Sequence, residues 1–223
     1  YWDDVAATFT NFAMSGIDKV HFGLEAAVSI PIYHTLALNG AVSWGQYTYD
    51  SNPYYLQTQD NSGDIVSDGY VYWKDFRVES TPQTAVNVGL SWRSNNNIYL
   101  SADFNYYDNM YLSMSPIYRT DAVITGGMAP GDIEHLRRQE KFDSAYTLNA
   151  SIGKNWYIHR KYTLGFSLDV KNILNNQDIK TGGYEQTRLS KNTETTVTTY
   201  QAFDSKYFYM FGTTYYLNLY FRF

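Results

Sequence analysis

His21, His34, His135 and His159 are the side chains best able to hold a transition metal, but they are scattered along the chain with no metal-ligand spacing. Asp60, Asp64 and Asp68 could gather around calcium. The Asp-x-Asp-x-Asp-Gly core and terminal Glu of a calcium loop are missing, however. Ser144 and Asp143, with His135 upstream, contain the elements of a hydrolase, yet no Gly-x-Ser-x-Gly, phosphate loop or paired nucleophile accompanies them. The chain is therefore read as a non-enzyme, without a bound metal or cofactor.

Binding chemistry is better represented. Tyr111, Met114, Tyr118 and Arg119 cluster around the polar segment 113–138, and Tyr184, Gln186 and Arg188 lie in the segment 174–203. Aromatic rings beside a guanidinium can hold a siderophore, a glycan or a peptide; the same residues could instead pack the two segments together. Tyr111, Tyr118, Arg119, Tyr184 and Arg188 are the candidate substrate-binding set.

The elements that must position these residues follow from a period of two. Val86, Val88, Leu90 and Trp92 alternate with Asn87, Gly89, Ser91 and Arg93. Leu164, Phe166, Leu168 and Val170 alternate with Gly165, Ser167, Asp169 and Lys171. The same pattern gives seven amphipathic strands, at about 9–30, 35–50, 70–93, 97–112, 139–156, 160–173 and 204–223, with one helical turn within 131–138. Short turns are expected at 31–34, 94–96 and 157–160, and long polar connections at 51–69, 113–138 and 174–203. Short turns at one end and long loops at the other describe a transmembrane antiparallel barrel. Pro82 is expected above the spanning part, where a missing ladder donor is tolerable. Glu25, Asp103, Asp143, Asp169, Lys171 and Arg222 fall on the polar parity, where they face a lumen in salt-bridge ladders or line a substrate route.

Composition agrees. Tyr (23), Phe (12) and Trp (5) make 18% of the chain, and charged residues are 17%, below the roughly 25% of ordinary globular chains. A net charge of −5 offers no surplus to neutralise phosphates, so nucleic acid is not an expected partner. Trp44, Trp92, Trp156, Tyr162 and Phe223 fall at or near strand ends on the apolar parity, as an interfacial girdle requires. A soluble β-sandwich or β-helix shares the alternation but has no need of that placement. The chain opens Tyr-Trp-Asp-Asp, without an initiator Met or a signal peptide, which reads as truncation. Seven is an odd strand number, and an open sheet would leave bare edges in lipid, so upstream strands are expected as well.

The ending 206–223 (Lys-Tyr-Phe-Tyr-Met-Phe-Gly-Thr-Thr-Tyr-Tyr-Leu-Asn-Leu-Tyr-Phe-Arg-Phe) resembles the terminal strand of outer-membrane proteins, with Tyr215, Leu217, Leu219, Phe221 and Phe223 matching the signal read by the barrel assembly machinery. The aromatic richness is similar to that of Bacteroidetes receptors, and three more stretches narrow the resemblance to TonB-dependent receptors. They are Val-Lys-Asn-Ile-Leu-Asn-Asn (170–176) before the last loop, Gly-Leu-Glu (23–25) at a strand, and Thr81-Pro82 ahead of a strand ending Leu-Ser-Trp (90–92). Asn-Tyr-Tyr-Asp-Asn-Met-Tyr (105–111) has counterparts at the top of a strand in that family.

The resemblance implies an all-β fold in which residues 1–223 are about seven to eight C-terminal strands of a larger, 22-stranded barrel in the bacterial outer membrane, with the plug domain and energy-coupling box upstream. It also implies energy-coupled import of a siderophore, vitamin, glycan or peptide. The implied partners are outer-membrane lipid, a TonB-type protein acting through the missing N-terminal region, the assembly machinery and a surface lipoprotein. A passive porin or structural barrel, and less so an outer-membrane lipase or protease, are the alternatives.

Overall fold

The computed structural model describes residues 2–3, 7–159, 161–191 and 198–223. Along the chain lie β1 (Trp2–Asp3), β2 (Thr8–Ser15), β3 (Lys19–Tyr33), β4 (Leu36–Tyr49), β5 (Tyr54–Gln59), β6 (Ile65–Tyr70), β7 (Thr84–Arg93) and β8 (Ile98–Asp108). A 3-10 turn at Pro116–Arg119 and two short helices follow, α1 (Asp121–Ile124) and α2 (Pro130–Leu136). The remaining strands are β9 (Ala145–Ile158), β10 (Tyr162–Lys171), β11 (Lys180–Lys191), β12 (Thr198–Tyr209) and β13 (Thr214–Arg222). The fold is all-β and antiparallel: a seven-stranded sheet in the order β13-β10-β9-β8-β7-β4-β3, a four-stranded sheet β1-β2-β5-β6, and the hairpin β11-β12. In the described residues the large sheet is open, because β3 and β13 each pair on one side only.

Register sorts the side chains of the large sheet. One cross-strand row reads Ile30, Leu38, Leu90, Ala102, Ala150, Val170, Tyr215, and another reads Leu36, Trp92, Leu100, Ile152, Leu168, Leu217. The opposite face is polar and laced from strand to strand. Ser29 donates to Asn39 at 2.7 Å, Asn39 to Ser91 at 3.2 Å, Asn87 to Asn105 at 2.8 Å, and the Ser101 and Ser151 hydroxyls are hydrogen-bonded to each other at 2.7 Å. These links are neutral. Among the described residues no ion pair joins Glu25, Asp103, Asp143, Asp169, Lys171 or Arg222, so the expected salt-bridge ladders give way to amide and hydroxyl rows.

On the same face tyrosine rings lie across glycines of the neighbouring strand, Tyr99 over Gly153 and Tyr220 over Gly165. A Cβ at either glycine would collide with the ring, so the glycine is what allows the ring to lie flat.

Several expected boundaries need correction, each for a local reason. The strand expected at 9–30 breaks because Gly16 turns at φ +73°; there the Ser51 hydroxyl donates to Gly16 O and accepts from Asp18 N. The strand expected at 70–93 is irregular from 71 to 83, with Asp75 and Ser80 at positive φ and Pro82 lacking a donor. Buried Gln83 repairs the ladder there: its side-chain amide both accepts from Tyr47 N and donates to Tyr47 O.

The strand expected at 204–223 is two strands, β12 and β13, parted around Gly212. The turn expected at 31–34 tightens to His34 and Thr35, with Pro31 inside the edge strand β3, a place proline tolerates. Arg160, which ends one expected short turn and begins one expected strand, lies outside the described residues, as do 192–197 of the expected last loop. The helical turn expected within 131–138 is α2.

Asn172 closes the top of β10. It sits at φ +51°, buried, with Nδ2 donating to the carbonyls of Asn176 (2.9 Å) and Phe211 (3.1 Å) and Oδ1 accepting from Asn176 N (3.1 Å). Its own carbonyl accepts from Thr213 Oγ1 at 2.8 Å, which fixes where β13 begins. Asn172→Val loses the amide hub and forces a β-branched residue into left-handed backbone. It is expected to destabilise the fold by about 3 kcal/mol in denaturant unfolding, against about 1–2 kcal/mol for Asn172→Gly, which keeps the backbone. Equal losses would contradict the part assigned to φ.

Candidate functional site

The packed apolar core does not lie on the sheet. It lies in the three long connections at one end, as two clusters. Tyr49, Tyr55, Val71 and Trp73 form one, with Phe12, Met14, Phe76 and Val78 against it. Met110, Leu112, Phe142, Ala145 and Ile179 form the other, with Tyr107, Tyr207 and Met210 against it. This cap contains the candidate binding residues.

Arg119 is the cap's fastener. It is 2% exposed and uses all five guanidinium donors inside the chain. Nε donates to Leu136 O at 2.9 Å, Nη1 to Ser115 O at 2.8 Å and to Glu185 Oε1, and Nη2 to Glu185 Oε2 at 2.9 Å and to the Met114 sulfur at 3.6 Å. Its guanidinium also lies 5.5 Å from the Phe76 ring. The fork-to-fork pair with Glu185 thus ties the 3-10 turn and α2 to hairpin β11-β12 and to the 71–83 segment.

A second tie runs through Glu140, which accepts from Tyr207 OH at 2.7 Å and Ser205 Oγ at 3.2 Å and lies 3.6 Å from Lys180 Nζ. That hydrogen bond, with some desolvation, holds the Tyr207 phenol above its ordinary pKa. Lys180 in turn sits 3.8 Å from the Tyr207 ring centroid. Gln139 adds a third, bridging Arg77 and Leu112 through its side-chain amide.

The five candidate residues are only partly gathered. Tyr111 forms an isolated bridge with Lys141, and Tyr184, half-exposed, bridges Ser113 and lies tilted against Phe208 with ring centroids 6.2 Å apart. Tyr118 lies half-buried one residue before Arg119. Arg188 is exposed further along β11, opposite Gln201. Arg119 packs the segments together, so the aromatic surface facing outward is that of Tyr184 and its neighbours. Sequence reasoning missed Glu185, Glu140 and Gln139, whose partners lie far along the chain and leave no local signal.

The residues weighed for other chemistry are separate. Asp60 accepts from Asn11, Asp64 from Ser62 and Asp68 from Tyr54, each on its own partner. His21 lies tilted against Tyr47, with ring centroids 4.8 Å apart. Comparison with protein-family models, curated proteins and solved structures returns no match to this chain.

Arg119→Met leaves the Glu185 carboxylate, 13% exposed, without its partner. It is expected to cost about 3–5 kcal/mol and to open hairpin β11-β12 to protease. The double variant Arg119→Met/Glu185→Leu is expected to recover most of that loss. Limited proteolysis and denaturant unfolding check both, and a double variant no better than the single one would contradict the ion-pair account.

Proposed function

We propose that the seven-stranded sheet is a stretch of β-barrel wall in the bacterial outer membrane, and that the whole protein imports a scarce nutrient with energy supplied by a TonB-type partner. The observation that carries the membrane part is the bare apolar face. Val20, Phe22, Leu24 and Val28 on β3 and Leu217, Leu219 and Phe221 on β13 mark its two sides, and Val88, Leu90, Phe104 and Ile152 its middle, all two-fifths or more exposed. At roughly 100 Å² per side chain, the patch is about two to four times the roughly 300–600 Å² largest patch of a soluble monomer. Lipid tails are the solvent that suits it. The hydrogen-bonded polar face opposite suits a watery lumen.

Aromatic placement supports the same reading. Trp92, Trp156, Tyr162 and Phe223 lie toward the short-turn end, and Trp44 and Tyr146 toward the cap. In this reading the cap faces the outside and meets the ligand first, and Tyr111, Tyr118, Tyr184 and Arg188 are the residues nearest to it, with Arg119 holding them in place. The terminal strand, Tyr215 to Phe223 on one face, is the signal for barrel assembly. Import, coupling and the surface lipoprotein rest on the family resemblance of the sequence.

In planar bilayers the whole protein is expected to hold no steady open channel, and a strain lacking it is expected to grow poorly on one scarce iron, vitamin, glycan or peptide source. Ligand-independent conductance with no growth defect would favour a passive porin.

A further inference from the structure

The four-stranded sheet β1-β2-β5-β6 has two unlike faces. Thr10, Phe12, Met14, Tyr55 and Gln57 point inward to the cap core. The outward face carries two aromatic pairs, each beside a carboxylate. Trp2 and Phe9 meet edge to face at 5.1 Å, 49% and 59% exposed, and Asp60 N donates to Phe9 O, which sets its carboxylate at that end. Tyr54 and Tyr70 meet at 5.8 Å, and the Tyr54 hydroxyl donates to Asp68. Asp60 accepts from the neutral Asn11 amide at 2.9 Å. Residues 2–15 and 51–73 contain no Lys or Arg, and among the described residues neither Asp60 nor Asp68 forms an ion pair.

The geometry points to a docking surface for a basic, extended segment of a partner protein, with one Lys or Arg side chain received at each aromatic–carboxylate pair. A ring face and a carboxylate together suit a cation, and an aromatic pair supplies the apolar floor for its alkyl stem. Spacing keeps any one small cation from engaging both pairs. Tyr54 pairs with Ser15, and Phe9 lies six residues from Ser15 along β2, so the two pairs stand about 20 Å apart. An extended chain with basic residues about six positions apart spans that distance. The inference stands on this sheet alone and does not depend on the transport reading.

The test is fluorescence anisotropy of the full chain with a labelled peptide, acetylated and amidated, carrying two arginines about six residues apart. Binding is expected to weaken about ten-fold in Asp60→Asn/Asp68→Asn and in Phe9→Ala/Tyr70→Ala, to weaken with added salt, and to fall several-fold when the arginines are made adjacent. All four substitutions lie on the outward face, and unchanged circular dichroism and thermal unfolding verify that the fold persists. Equal binding of a neutral peptide of the same length, or no change in the Asp60→Asn/Asp68→Asn variant, would overturn the proposal. A requirement for a free peptide terminus would overturn the partner-segment assignment in favour of a free peptide.

Discussion

The backbone ladder of the seven-stranded sheet is the constraint from which the other features follow. Side chains alternate with a period of two, so a slip of one residue between any two strands would turn a whole apolar set onto the polar face. The register admits no such slip from Ile30 to Tyr215, and each row keeps one character across the sheet. The polar rows help to hold it, because the Ser29–Asn39–Ser91 and Asn87–Asn105–Thr147 links pair groups that meet only in this register. Neutral hydrogen bonds suit that task better than charges, whose attraction is less directional and is screened in salt.

A sheet with both faces uncovered has no core of its own, so packing has moved to the cap. There the three long connections are fastened by a few buried and half-buried polar groups: Arg119 with Glu185, Gln139 with Arg77 and Leu112, and Asn172 with the start of β13. Such groups are costly when half satisfied and rigid when complete. The cap is therefore a fixed platform, and what varies over it is surface: the half-exposed Tyr184 on one side and the aromatic–acidic face of the four-stranded sheet on the other.

The large sheet was legible in the sequence because its two faces differ so sharply. Val86 to Trp92 and Leu164 to Val170 state their strands outright. Strands β5 and β6 were not legible, because their inward face buries Gln57 and its neighbour Thr10 while Tyr54 and Tyr70 point outward, which inverts the expected pattern. Strand β11 (Thr-Gly-Gly-Tyr-Glu-Gln-Thr-Arg-Leu-Ser-Lys after Lys180) is polar on both faces and carries no period. Asn172 stood inside a recognisable stretch, but its hub of hydrogen bonds depends on Phe211 and Thr213, some forty residues away. Arg119 was open to both binding and packing in the sequence, and its tie to Glu185 could not be read there because that partner is 66 positions on.

The central claim is that one face of this sheet meets lipid and the other meets water. The chain contains no cysteine, so single cysteines can be placed without removing any. Bimane attached at Val88, Phe104 or Ile152, in protein reconstituted with brominated lipid, is predicted to be quenched by the lipid. Bimane at Asn87, Asn105 or Ser151 is predicted to respond to water-soluble iodide instead. Lipid quenching at none of the first three positions, or equally at all six, would contradict the account.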